Sequence, residues 1–189
     1  MPLMLRAPTL CLLAALLAGC ASASASGRVT SAVDEAPAAL QPGAEPLSFF
    51  LGDWDVEVFD AGGRRTHRAR TRARAILDGH GLADDWRALD ETGRVIFRGT
   101  SLRCFVPATG RWTIHWVMAD APGYTYLEAD WVDGEFLAEG HGFDGSGEFL
   151  ERLRYSHITG TEYELVIERS YDGGQSYRLF SRLLGHKRA

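Results

Sequence analysis

Turn chemistry recurs along this chain at intervals too short to fit a helix and a returning parallel strand between them. The signals are Asp60-Ala61-Gly62-Gly63, Asp78-Gly79-His80-Gly81, Glu91-Thr92-Gly93, Pro107-Ala108-Thr109-Gly110, Ala121-Pro122-Gly123, Asp133-Gly134, Asp144-Gly145-Ser146-Gly147, Thr159-Gly160 and Asp172-Gly173-Gly174. Each supplies residues that start a tight turn or tolerate positive φ. The segments between them alternate with period two: Trp112, Ile114, Trp116 and Met118 against Thr113, His115 and Val117, and Tyr163, Leu165 and Ile167 against Glu162, Glu164 and Glu168. That period puts one set of side chains on each face of a strand. Roughly nine or ten hairpin-linked strands follow, arranged as an up-and-down antiparallel meander. Closing the meander into a barrel removes the unpaired edges that so many strands would leave. The expected fold is therefore all-β, a single antiparallel barrel with a short apolar turn, Leu47 to Leu51, at its start.

The residues before that domain read differently. Arg6 precedes an apolar run from Ala7 to Leu17, about the length of a signal-peptide core and well short of the roughly 20 residues of a bilayer span. The run ends in Leu17-Ala18-Gly19-Cys20, which resembles the lipobox of bacterial lipoproteins. The resemblance implies cleavage before Cys20, attachment of acyl chains such as palmitate to Cys20, and a bilayer as partner. With Ala21 rather than an acidic residue after the cysteine, it implies the outer membrane, facing the periplasm. The expected division is a signal peptide over 1–19, a lipidated disordered tether over 20–46, rich in Ala, Ser, Pro and Gly, and a barrel over 47–186, the usual size of one domain.

Within the barrel, Phe50-Leu51-Gly52-Asp53-Trp54-Asp55-Val56 is similar to the entry of lipocalin-like (calycin-type) barrels, where the tryptophan closes one end. Together with Leu77-Asp78-Gly79, Phe105-Val106-Pro107-Ala108-Thr109-Gly110-Arg111-Trp112 and Ser170-Tyr171-Asp172-Gly173-Gly174-Gln175-Ser176-Tyr177, it resembles an uncharacterised bacterial domain family with that fold. That family offers no activity to carry over. The stretch from Ser170 to Tyr177 also resembles the Asp-box of propeller proteins, and a single copy reads as a structural turn.

Composition narrows the partners. With 20 Lys and Arg against 25 Asp and Glu, the net charge of −5 argues against a nucleic-acid partner, which requires a concentrated basic surface. The expected function is capture of a small apolar or amphipathic ligand, with Trp112, Trp116, Met118 and Trp131 as wall residues. Trp112, Trp116 and Phe180 are expected to be buried. Arg68, Arg70, Arg72 and Arg74 alternate with small residues and are expected to face solvent, since four unpaired buried charges are prohibitive, with Glu57 or Asp84 as cross-strand partners. A sharper reading makes the row an anion-binding stripe, with Arg70 and Arg72 contacting phospholipid headgroups on the outside or a carboxylate ligand partly inside.

An enzymatic alternative places Glu139 and His141 in the lumen as an acid/base pair, with Asp144 just beyond; a non-catalytic structural role in the envelope is a third reading. No metal or cofactor is implied. His115 and His157 are isolated, and His186, though placed near the C-terminus like an axial ligand of haem-binding barrels, lacks the glycine-rich repeat that accompanies such a site. Cys104, in phase with Leu102 and Val106, reads as a buried inert thiol. Asp84 and Asp85, adjacent on a strand, point to opposite faces.

Overall fold

The computed structural model describes residues 39–189; Cys20, the signal segment and most of the expected tether lie outside them. A 3-10 turn over Glu45–Phe50 leads into ten strands: β1 (Gly52–Phe59), β2 (Arg65–Ile76), β3 (Gly81–Leu89), β4 (Val95–Val106), β5 (Arg111–Met118), β6 (Tyr124–Val132), β7 (Glu135–Asp144), β8 (Gly147–Ser156), β9 (Glu162–Ser170) and β10 (Arg178–Lys187). Every strand pairs antiparallel with its sequence neighbours, and β1 pairs with β10 to close the barrel. The fold is a closed ten-stranded, up-and-down antiparallel barrel, the all-β architecture that the turn spacing implies.

Packing begins upstream of the expected boundary at Leu47. Leu40 and Ala44 are buried, and the Gln41 N–H donates to the Gly79 carbonyl at 3.0 Å. The chain thus docks onto the short 3-10 turn Leu77–Gly79 before it enters the barrel.

One end of the barrel is plugged. Trp54 is fully buried, its indole N–H donates to the Phe50 carbonyl at 2.8 Å, and its ring stacks on Phe50 with centroids 6.3 Å apart. Tyr163 meets Trp54 edge-on at 4.9 Å, and Phe136 touches both Trp112 and Tyr155. Burying such rings is worth about 1.5–3 kcal/mol each, so this end carries most of the core.

The strand ends opposite the plug are joined by turns that aspartates hold. Asp60 accepts from the N–H groups of Gly62 and Arg64, both at 3.0 Å, and from the Arg64 guanidinium. Asp90 repeats the device with Thr92 and Arg94. Asp172, in the Asp-box-like segment, accepts from Ser170 and Ser176. Each of the three carboxyls is held below the usual carboxylate range by those donors, which identifies them as turn locks.

The arginine strand faces outward. Along β2, Ala69, Thr71 and Ala73 are buried while the arginines between them are exposed. Arg70 pairs with Asp55 at 3.3 Å, Arg72 with Asp53 at 2.7 Å and Arg74 with Asp85 at 3.7 Å. Glu57 takes Arg65 instead, and Asp84 points inward, away from the stripe. Exposed pairs of this kind contribute about 0–1 kcal/mol each; their role is to neutralise the row.

Candidate ligand-binding lumen

Inside the barrel, the middle layer is polar. Asp84 on β3 is buried and accepts from the hydroxyls of Thr71 at 3.1 Å and Ser101, and from the Arg103 guanidinium. Arg103 also donates to the Tyr155 hydroxyl at 3.0 Å and lies 4.5 Å from the centre of the Phe50 ring. The guanidinium pKa is raised despite the burial that opposes it, because Tyr155 and Asp84 surround the charge. Burial pushes the Tyr155 phenol up, so it stays protonated. No buried side-chain N or O among the described residues lacks a hydrogen-bond partner. A fully satisfied buried network of this kind fixes its members in one geometry, and here it forms the floor of the lumen, between the aromatic plug and the open mouth.

Above the floor, the wall thins. Ala69, Ala88, Gly99, Gly140 and Gly142 face inward on β2, β3, β4 and β7, by register with Val56, Phe97, Trp86, Glu151 and Thr125. At this level the inward-facing Trp86, Phe97, Trp116, Met118, Leu153 and Ile167 are only half-buried. Trp86 and Trp116 meet edge to face at 6.5 Å and 81°, and Phe97 lies 6.4 Å from Trp116. The Trp116 ring rests over the backbone of Gly99, where a Cβ would collide with its six-membered ring. Gly99 is thus required by the close approach of an aromatic ring, a use of glycine common in curved sheets.

The other side of this mouth is built around Arg169. Its Nε donates to Glu151 at 2.6 Å and a terminal nitrogen to Asp144 at 2.9 Å, and the Tyr171 hydroxyl donates to the same Asp144 oxygen at 2.8 Å. The guanidinium lies between two rings, 4.0 Å from the centre of Phe149 and 3.7 Å from that of Phe180. Phe180 was expected to be buried and is 50% exposed. The cause is a register shift between Leu179 and Ser181 in the β9–β10 pairing, a bulge that turns Phe180 out of the ladder and onto Arg169. Bulges at barrel rims commonly re-aim a side chain in this way.

The four expected wall residues all face inward but do not share one chamber. Trp112 is buried in the plug against Phe105 and Phe136. Trp131 lies at the same end beside Phe49 and Phe136, 38% exposed. Only Trp116 and Met118 stand at the open mouth. Arg70 and Arg72 are engaged by acidic partners on the outer face, so they do not line the lumen.

The expected lumenal acid/base pair is overturned. The inward positions of β7 are Ala138, Gly140 and Gly142, so Glu139 and His141 project outward. Glu139 lies 4.0 Å from Arg152 with its side chain 74% exposed, and His141 sits against Tyr126 on β6, which also meets His115 on β5. His157 and His186 are also exposed, beside Glu164 and Glu162. Cys104 is half-buried on the outer face. Its strand places Ser101, Arg103 and Phe105 inside and leaves Leu102 43% exposed, the reverse of the phase its apolar residues suggest. Burial nonetheless raises the thiol pKa, which keeps it protonated. Among the described residues no group of His, Cys, Asp and Glu is arranged to hold a metal, and no helix is long and apolar enough to cross a membrane.

The residues that build the mouth and the floor were mostly not singled out by pattern: Asp84, Ser101, Arg103 and Tyr155 below, Trp86, Phe97, Glu151 and Arg169 above. Glu151 and Arg169 carried a signal, since each shares the phase of apolar residues two positions along its strand, Leu153 and Ile167.

The chain matches no protein-family model, and no curated protein matches it. Among solved structures it is similar to a de novo designed fluorescence-activating β-barrel, at 13% identity and a TM-score of 0.37, over 74% of this chain and 95% of the designed one.

Proposed function

We propose that this is a lipid-anchored protein of the bacterial cell envelope whose barrel binds a small apolar or amphipathic molecule in its lumen. One observation carries the binding reading: the barrel is plugged by aromatic rings at one end, while at the other the inward-facing Trp86, Phe97, Trp116 and Met118 stay half-buried. A barrel of about this size can fill its interior with side chains or hold one small ligand, and partial exposure of inward aromatic residues favours the second. The anchor rests on the lipobox and Cys20, which supply the partner bilayer.

The binding reading is tested by titrating the domain with an apolar fluorescent probe. Trp116→Ala is expected to weaken probe affinity by about 1–3 kcal/mol, the scale of a lost aromatic contact. Trp112→Ala is expected to lower stability through the plug rather than affinity. A folded Trp86→Ala/Trp116→Ala variant with unchanged probe affinity would remove lumenal binding as the function.

A further inference from the structure

The outer wall of the barrel carries an apolar patch that the lumen does not use. Val117, Tyr124 and Phe143 stand directly opposite one another across β5, β6 and β7, and Leu102 lies on β4 one row nearer the plug, opposite His115. All four are at least 40% exposed. On β4 to β7 these two rows are completed by Thr100, His115, Tyr126 and His141, with no Asp, Glu, Lys or Arg among them. The acids at the border are accounted for: Asp120 and Asp144 are engaged by Arg98 and Arg169, and Glu148, opposite Phe143 on β8, limits the face on that side. An exposed apolar patch with a polar rim marks an interaction site, and tyrosine, with an apolar ring and a polar tip, suits a lipid–water boundary.

The wall next to the patch is basic. Arg70, Arg87 and Arg98 are directly opposite one another on β2, β3 and β4, and like charges so placed are destabilising unless something negative lies over them. Two acids serve the three guanidiniums, Asp55 on Arg70 and Asp120 on Arg98. Arg87, between them, is exposed and forms no ion pair among the described residues. Asp85, its neighbour on the same face of β3, is taken by Arg74 and faces Arg72 across the β2–β3 pairing. Arg68 borders Glu91 in a separate groove nearer β1. A groove of about 290 Å³ joins the basic row to the patch, lined by Asp85, Arg87, Arg98 and Val117 and reaching the mouth at Trp86 and Met118.

We propose that this wall docks onto an anionic lipid surface, with a phosphate seated between Arg87 and Arg98 and with Val117, Tyr124 and Phe143 entering the headgroup layer. The occupant is lipid because unpaired positive charge and exposed apolar side chains lie side by side, the pairing that interfacial binding uses. The chain also leads towards a bilayer: the Gln41 N–H is fixed to the Gly79 carbonyl at the β2–β3 connection, and the stretch from there back to Cys20 spans at most roughly 70 Å even when fully extended. The inference rests on the anchored reading and adds an orientation to it. The anchor keeps the barrel near the membrane, the wall decides which side faces it, and the mouth then opens beside the headgroups. Alone the contact is weak and reversible, since stable attachment takes more than one such signal.

The test uses the full chain with Cys20→Ala, which has no acyl site, and vesicles of phosphatidylcholine alone or with about one-third phosphatidylglycerol, binding being read by flotation at low ionic strength. Every arm keeps the same N-terminal residues, so differences between arms report the barrel. The anionic vesicles are expected to bind about tenfold tighter than the neutral ones, and salt should erode that preference. Arg87→Gln should weaken binding about fivefold, while Arg87→Lys, which keeps the charge, should retain most of it. Val117→Ser/Phe143→Ser should weaken it about tenfold. Arg154→Gln makes the same charge change on the β8 wall and should stay within about twofold of the parent, being screened from the contact. Absence of binding, equal binding to both vesicles, or a loss in Arg154→Gln equal to that in Arg87→Gln overturns the docking face. So does displacement by inorganic phosphate at constant ionic strength, which would make Arg87 and Arg98 a site for free phosphate. A concentration-dependent dimer in sedimentation that Val117→Ser/Phe143→Ser abolishes would make the patch a contact between copies and overturn it too. The anchor is judged separately, by whether Cys20 of the unsubstituted chain carries acyl groups, so the two readings can fail independently.

Discussion

Replacing Arg103 with methionine removes the only cation from the barrel floor and leaves Asp84 buried, 3% exposed, with two hydroxyl donors, Thr71 and Ser101. Breaking a buried ion pair from one side costs about 3–5 kcal/mol, because the remaining charge stays desolvated. The Tyr155 hydroxyl also loses its donor, and Phe50 loses the guanidinium over its ring. For a domain of this size, with a urea slope of about 2 kcal/mol per M, the unfolding midpoint should fall by roughly 1.5–2.5 M. Arg103→Lys should recover only part of that loss, since a point charge cannot bridge Asp84 and Tyr155 as the planar fork does. The decisive comparison is Asp84→Leu combined with Arg103→Met, which removes both charges and should return the midpoint close to wild type. Urea unfolding followed by tryptophan emission measures all of these. If Arg103→Met shifts stability by less than about 1 kcal/mol, or the double variant is as unstable as the single one, the floor is not a paired buried charge and the reasoning fails.

Gly99→Ala should push the Trp116 ring off its seat, seen as a shift in tryptophan emission, and weaken capture of the apolar probe more than it lowers stability. Asp172→Asn should destabilise the β9–β10 hairpin at neutral pH. The donors from Ser170 and Ser176 lower the Asp172 pKa, so its contribution is present above the unfolded value near 3.8 and lost as pH falls through the lower folded value. The difference between wild type and variant, followed by thermal melts across pH, should therefore shrink on acidification. Cys20→Ala should move the protein from the membrane fraction to the soluble fraction of a bacterial envelope preparation; retention in the membrane with the signal cleaved would show that another element holds it.

Strand number and order were legible because turns and strands are local: an Asp-Gly pair or a run such as Trp112 to Met118 states its conformation without reference to distant residues. The plug was legible too, since Gly52-Asp53-Trp54 sits at the head of β1 as the motif implied. The mouth and floor were not, for a specific reason. In β4 the inward face is Gly99, Ser101, Arg103 and Phe105, and in β7 it includes Gly140 and Gly142, so the apolar signal that normally marks the inside lies on the outside or is missing. Alternation gives a strand two faces without saying which is inner. The pairing of Asp84 with Arg103, 19 residues apart, fixes that choice only when the sheet is folded. Phe180 escaped prediction because a bulge displaces the phase by one residue, a tertiary event with no composition of its own.

Because every seam except that between β1 and β10 joins strands consecutive in the chain, the ring has no privileged starting strand. The Arg188 N–H donates to the Asp53 carbonyl at 2.9 Å, so the domain's C-terminal end lies beside the head of β1. A short linker across that gap and a cut in the Asp133-Gly134 turn would give a circular permutant with every ladder intact. Its longest-range pairing would become a hairpin, while an ordinary hairpin would become the final closure. Comparing the folding rates of the two forms would measure how much of the barrier belongs to bringing the ends of the ring together.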